Sequence, residues 1–490
     1  MLACSSDQEP EAADVADAQA QTTVSSASVP PGLRPGLVIP NQAMERPNLL
    51  LISVDTLRAD FLGCYGQPKN TSPSMDELAA SGTRFDHAVA ASPWTLPSHA
   101  TMLSGLYPSH HGVVDHNFEL TAPTLATRLQ AAGYHTMAIV NSKNIGDKRF
   151  GMMRGYDRAY YELEVDVIKE DDGTQSFGVM IHNHGRDIID RASYWLAERD
   201  TNQPFFLFLH FYDVHTDFTP DEKWKEKFVG PYNGELNGRT RQLVKLRHDD
   251  EGIKKRDAKF LKEMYAAEIR TFDNILTKFL RRMRENGLME NTVIALTSDH
   301  GEEFGEHGSV LHGRTYYEEQ TRIPLILHGP GIPAGFQMKR PVHLIDVAPT
   351  LLSLAGLPLD GMDGIDLTRS WFAGEGPSED RVLFAEADHN ILVAGIDSSN
   401  VFRMLRKNEF KLIFNTLTGE RKLFNLLEDP SESKDIAHEQ PDLAQALLDE
   451  LKLFSSTGIG GSDIGPLPTK DVELMGTLGY ISVPDDEEDD

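Results

Sequence analysis

Cysteine is nearly absent from this 490-residue chain, which has only Cys4 and Cys64. Two thiols cannot build a disulfide framework, so neither a stapled fold nor dithiol redox chemistry organises the molecule. Cys64, beside an apolar segment, reads as a small buried hydrophobe. Basic charge is scarce too: Lys+Arg 47 stand against Asp+Glu 75, a net charge of −28. Such an acidic surface argues against nucleic acid and anionic lipid as partners. No apolar run reaches the roughly 18 residues that a membrane-spanning helix needs. Residues 5–45 lack aromatic side chains and are rich in Ala, Ser, Gln, Asp, Glu and Pro. They cannot bury enough apolar surface to order themselves and are expected to form a tether. Residues 485–490 are all acidic and are expected to be a solvated tail.

Between these ends, 40% of the chain is hydrophobic, enough for a sizeable core. Short apolar runs recur at Leu49–Val54, Met137–Val140, Phe205–Leu209, Val293–Thr297 and Ile323–Leu327. They do not alternate with polar residues, as suits strands of a parallel sheet buried on both faces. Helical patterns lie between them, at Ser74–Ser81, Leu125–Ala132, Arg186–Arg199 and Lys259–Glu285. This order predicts a doubly wound α/β fold, with a mostly parallel sheet flanked by helices. Ligands then collect at the C-terminal strand ends. Three of those ends carry chemistry: Asp55; His210, Asp213 and His215; and Asp299-His300-Gly301. From about residue 376 the pattern changes to two adjacent antiparallel strands, Arg403–Arg406 and Lys411–Phe414, and a helix around Leu443–Leu453. The expected organisation is a start and tether over 1–45, a catalytic domain over 46–375, a subdomain over 376–483 and a tail over 484–490.

The most informative stretch runs Ser92-Pro93-Trp94-Thr95-Leu96-Pro97-Ser98-His99-Ala100-Thr101-Met102-Leu103-Ser104-Gly105. Pro97 disfavours the α region for Leu96, so a helix is expected over Pro97–Leu103, with Thr95 just ahead of it. Free N–H groups and the dipole favour negative charge there, and an alkoxide would be stabilised. Helix capping is the competing use of such a threonine.

With Thr101-Met102-Leu103-Ser104-Gly105-Leu106-Tyr107-Pro108 behind it, this stretch resembles the signature of the sulfatase family in the alkaline phosphatase superfamily. That signature reads Cys or Ser, any residue, Pro, Ser, Arg, then a short apolar stretch ending in Thr-Gly. The resemblance spans about residues 47–480. It implies an alkaline phosphatase-like core and a small C-terminal subdomain with an antiparallel sheet and a helix. Thr95 falls on the residue that sulfatases oxidise to formylglycine, and His99 falls on the Arg.

Carried over residue by residue, the resemblance implies one divalent cation held by Asp55, Thr95, Asp299 and His300. Oxygens with an imidazole suit Mn²⁺, Zn²⁺ or Mg²⁺ better than Ca²⁺. Calcium-binding sulfatases usually show a double Asp where this chain has Asp55-Thr56, and Asp-Asn where it has Asp299-His300. The pattern is closer to the superfamily's phosphonate monoester hydrolases and threonine-dependent phosphotransferases. His215 matches a strand-end His that contacts substrate, and Arg314 falls near a sulfate-binding Lys. His312 is the candidate that protonates the leaving oxygen.

Thr95 then acts as the nucleophile in hydrolysis of a sulfate, phosphate or phosphonate ester, on a small-molecule, glycan or lipid substrate. Phosphorus is favoured. Oxidising a threonine at Cβ gives a ketone, so the formylglycine elimination route is closed, whereas a phosphothreonine can still be attacked at phosphorus. The rival readings are a phosphotransferase on a cell-envelope substrate and a non-catalytic binding lipoprotein on the same fold. Leu2-Ala3-Cys4 resembles the end of a bacterial lipoprotein signal, without the charged and apolar regions that should precede it. It implies an exported protein, periplasmic or anchored to the membrane through a lipid at Cys4.

Overall fold

The computed structural model describes residues 46–161, 165–169, 175–179, 184–247, 249, 252–372, 376–386, 402–459, 461–466 and 468. The expected tether, the Cys4 expected to carry a lipid and the expected acidic tail lie outside the described residues. Cys64 is free and half-buried rather than buried. Among the described residues no helix is long and apolar enough to cross a membrane.

The central sheet contains β1 (Asn48–Val54), β2 (Thr83–Val89), β3 (His135–Val140), β4 (Arg158–Tyr161), β5 (Phe205–Phe211), β6 (Thr292–Thr297), β7 (Arg322–His328), β8 (Phe336–Met338) and β9 (Val342–His343). Its order is β8-β2-β7-β6-β1-β5-β3-β4, with β9 also pairing with β2. β6, β1, β5, β3 and β4 run parallel, as the apolar runs predicted. Side chains alternate between two buried faces. Leu49, Leu51, Phe206 and Phe208 enter one apolar cluster, and Leu50, Ile52, Val54, Leu207 and Leu209 the other. Burial on both sides leaves no polar face, so these strands read as continuous apolar runs.

Two elements differ from expectation. β7 lies antiparallel to both β6 and β2, because an apolar run reveals burial but not direction. β2 was hidden by its half-exposed Arg84 and Asp86, which pair with each other at 2.8 Å.

Helices cover both faces. Pro73–Ala80, His184–Glu198 and the 31-residue Lys255–Glu285 cover one, and Thr95–Ser104, Leu125–Ala131 and Val347–Leu354 the other. A separate four-stranded antiparallel sheet is formed by Val382–Glu386, Phe402–Lys407, Phe410–Asn415 and Arg421–Asn425. Leu405, Leu412 and Leu423 on its outer face meet Leu447, Leu448 and Leu451 of the helix Pro441–Ser455. Met404, Ile413 and Phe424 on its inner face join the core of the large sheet.

Candidate active site

β1 and β6 are neighbours in register, so Asp55 and Asp299 leave the sheet side by side. The chain turns sharply after Asp55, with Thr56 at φ 57, a conformation few non-glycine residues adopt unaided. Four hydrogen bonds hold the turn. The Thr56 amide donates to Asp299 Oδ1 at 3.2 Å and the Leu57 amide to Ser298 Oγ at 2.9 Å. The Tyr265 hydroxyl donates to the Thr56 carbonyl at 2.6 Å and accepts from the Arg58 amide at 2.8 Å.

Thr95 is the first residue of its helix, not a residue ahead of it. The first turn has N–H groups without intrahelical partners, so Pro97 costs no bond there, and burial overrides its bias against helical Leu96. All ten residues of the helix are buried. The Thr95 hydroxyl lies 3.4 Å from Asp55 Oδ2 and 3.4 Å from His300 Nε2.

The chemistry of this donor set fits a cation. Asp55, Asp299 and His300 offer ligand atoms within 4.8 Å of one another. Asp55 Oδ1 and Asp299 Oδ2 are buried and accept no hydrogen bond, which is costly for carboxylates unless a cation supplies the missing charge. His300 Nδ1 is 2.9 Å from the Gly301 carbonyl and must donate to it. That leaves the Nε2 lone pair facing Asp299 Oδ2 at 3.4 Å and Asp55 Oδ1 at 3.7 Å. Burial pushes the Asp55 carboxyl up to about 7, although His300 and the Thr95 hydroxyl partly offset it. A bound cation acts in the opposite direction.

His312 and His215 flank this cluster. The His312 ring packs on His300 at 4.6 Å between centroids, and His215 packs on His312 at 4.8 Å. His215 is held on both nitrogens, Nδ1 by the Thr216 carbonyl at 2.7 Å and Nε2 by the Tyr212 hydroxyl at 3.0 Å. Burial keeps both imidazoles well below their ordinary pKa, so both are neutral. Arg314 is half-buried on the turn beyond His312, and its charge is felt by Arg247.

Three buried neighbours were given no catalytic or metal role from sequence. Both carboxyl oxygens of Glu302 lie 3.3 Å from His312 Nδ1. The nearness of Glu302 to Asp299 and His300 in the chain was the available signal. His99, at the signature's Arg position, is a neutral imidazole that burial lowers to about 3. Its Nδ1 donates to the Thr95 carbonyl at 2.9 Å, and its Nε2 meets Ser53 Oγ at 2.9 Å. His210, beside Ser53 in the β1–β5 register, places Nε2 3.3 Å from Asp55 Oδ2.

Comparison with known proteins places the chain in a family and a fold. A family model described as Sulfatase matches residues 47–357, and one described as N-sulphoglucosamine sulphohydrolase, C-terminal, matches residues 305–455. The arylsulfatase of Clostridium perfringens (strain 13 / Type A) is 26% identical over 456 residues, covering 81% of this chain and 91% of that protein. The crystal structure of the phosphonate monoester hydrolase of Agrobacterium radiobacter superposes with a TM-score of 0.69 at 20% identity, covering 86% of this chain and 100% of that one. A structure in complex with its substrate D-glucosamine-2-N,6-O-disulfate gives 0.66 at 23% identity, over 84% and 98% of the two chains.

Proposed function

Since the chain belongs to the sulfatase family, we propose that it is a metal-dependent ester hydrolase that uses the Thr95 hydroxyl as nucleophile and prefers phosphate or phosphonate esters to sulfate esters. One observation carries the reading. The side chain at the formylglycine position is a threonine, buried 3.4 Å from both Asp55 Oδ2 and His300 Nε2. The gathering of all four expected groups supports an enzyme over a degenerate binding protein. Both sulfatases and phosphonate monoester hydrolases stand among its relatives and structural neighbours.

A divalent cation held by Asp55, Asp299 and His300 would supply Lewis acidity and lower the pKa of the nucleophile. The residues do the rest. Asp55 Oδ2 accepts the Thr95 hydroxyl proton in a hydrogen bond and aims the oxygen. Attack forms the bond from Thr95 Oγ to phosphorus and breaks the bond from phosphorus to the leaving oxygen, in line. The uncapped first turn of the Thr95–Ser104 helix favours the negative charge on the transferring group. His312 Nδ1 accepts from the Glu302 carboxyl, which burial raises above its ordinary range, so Nε2 carries the ring proton and hands it to the leaving oxygen while Nδ1 takes up the Glu302 proton. Water then cleaves the phosphothreonine at phosphorus, which restores the hydroxyl. Leu2-Ala3-Cys4 supports an exported form with an acylated Cys4, which mass spectrometry of the native protein tests: an unmodified Met1 argues against it.

Metal-loaded wild-type protein, assayed on nitrophenyl phosphodiester, phosphonate and sulfate esters, tests the main reading. Faster turnover of the phosphorus esters is expected. Equal or faster turnover of the sulfate ester refutes the preference.

A further inference from the structure

The helix Thr240–Arg247 supplies no group to the proposed reaction, yet it is bonded to both segments that carry the flanking imidazoles. At its start the Thr240 hydroxyl donates to Oδ1 of Asp217, two residues beyond His215, at 2.7 Å. In its middle Leu243 is buried in the apolar core. At its end the Arg247 guanidinium donates from Nε to the Val310 carbonyl and from Nη2 to the His312 carbonyl, each at 3.1 Å. These two N–H groups form one side of a planar, rigid fork.

The carbonyls it takes lie on the outer edge of a hairpin. Glu303–Phe304 and Val310–Leu311 pair antiparallel as a two-stranded sheet of their own, and such a pair is marginally stable by itself. The Gly305 amide donates to the Ser309 carbonyl at 2.7 Å. Strand alternation then turns the carbonyls of residues 309 and 311 to the partner strand and those of Val310 and His312 away from it. Leu311, buried between them, sits at φ 68, a conformation that a leucine holds only where its surroundings impose it. The position of one carbonyl relative to the other depends on the backbone angles of Leu311 and His312. A rigid fork that holds both fixes those angles, and with them the direction in which the His312 side chain leaves the backbone.

We propose that Arg247 is a positioning residue for the proton donor: by clasping the Val310 and His312 carbonyls, it holds the His312 ring where it packs on His300 and meets the leaving oxygen. The proposal rests on the assignment of His312 as proton donor above. Loss of the clasp leaves Thr95, Asp55, Asp299 and His300 on their own elements, so it impairs protonation and not attack.

The test compares kcat/KM of full-length, metal-loaded protein on dinitrophenyl, nitrophenyl and phenyl phosphodiesters, whose leaving oxygens need a proton increasingly in that order. Arg247→Met should lose about 100-fold on the phenyl ester, the scale of a misplaced catalytic group. It should lose far less on the dinitrophenyl ester, which departs without a proton. His312→Asn should show the same ordering, and Arg247→Met should add nothing on top of it. Arg247→Lys should lose in the same order, because an ammonium on a flexible stem cannot fix two carbonyls at once. It carries the test if the methionine variant does not fold. Equal losses on all three esters, wild-type rates in the Arg247 variants, or losses that multiply in the double variant overturn the proposal. Equal losses in His312→Asn, or no turnover by wild type, overturn the reading beneath and the proposal with it. The ordering in His312→Asn without it in either Arg247 variant overturns the role of Arg247 alone.

Discussion

A threonine hydroxyl is a secondary alcohol, and at residue 95 it is enclosed by a helix with no exposed member. Thr95→Ala should lower turnover of a phosphorus ester by about 10³-fold or more. The melting temperature should hardly move, because the hydroxyl's contacts with Asp55 and His300 are long, at 3.4 Å. Thr95→Ser should retain turnover, since a primary alkoxide attacks in the same way, and steady-state kinetics on a nitrophenyl phosphodiester checks both variants. Asp55, Thr95, Asp299 and His300 were legible in the sequence because each sits in a short motif or at the end of an apolar run. The direction in which an imidazole presents its lone pair was not legible. For His210 it depends on Asn141, 69 positions away, whose carbonyl must satisfy two donors at once.

The elements around the site are supports with measurable stiffness. The helix Lys255–Glu285 holds the catalytic turn through the Tyr265 hydroxyl, which bridges the Thr56 carbonyl and the Arg58 amide. Tyr265→Phe leaves both groups buried and unpaired, and should cost about 1–3 kcal/mol in chemical denaturation. It should also weaken Zn²⁺ binding, because the turn carries Asp55. Gly301 shows the same economy of space. A Cβ there would lie 2.0 Å from the Glu319 carbonyl oxygen, so Gly301→Ala should destabilise by about 1–3 kcal/mol as backbone is pushed aside. A lower melting temperature with reduced metal uptake is expected, since His300 is the adjacent residue. The helices and parallel strands were predictable because periodicity records burial. The start of the helix at Thr95 was not, because the proline bias at Leu96 is weaker than the packing of ten buried side chains. Neither the 265-to-56 contact nor the 301-to-319 approach has a local signature.

The whole molecule is tied together by buried charge. Lys411 of the small sheet is fully buried and reaches Glu318 at 3.1 Å and Glu432 at 2.9 Å. Burial opposes its charge, but the two carboxylates outweigh that and raise its pKa. Lys411→Met strands both acids in the interior and should cost about 3–5 kcal/mol, measured by urea unfolding. Because Glu318 follows Arg314 on the turn beyond His312, activity should fall as well. On the other side, Glu306 meets Arg58 at 2.8 Å and Lys262 at 2.9 Å. Burial would raise its pKa, yet these two cations bring it from 4.5 down to about 2. A depressed carboxylate stabilises the fold above its unfolded pKa, and that contribution is lost as pH falls through the folded value. Glu306→Gln should therefore be less stable than wild type at pH 7, with the gap closing between about pH 4.5 and 2. The two-sheet plan was readable from apolar patterning. The ionic link was not, because charged residues far apart in sequence give no sign that they will share one buried site.

The order of the large sheet also bears on how the chain is made. β1 sits at its centre, yet among the described strands it is the first to leave the ribosome. Its Asn48 meets Phe205 across 157 residues and Thr292 across 244. At about 5–20 residues per second, a strand apolar on both faces, with both edges open, waits roughly 10–50 s for its second neighbour. During synthesis the nascent chain is thus a substrate for chaperones. A pulse-chase experiment should find newly made chains held by a chaperone until translation passes β6, and released only afterwards.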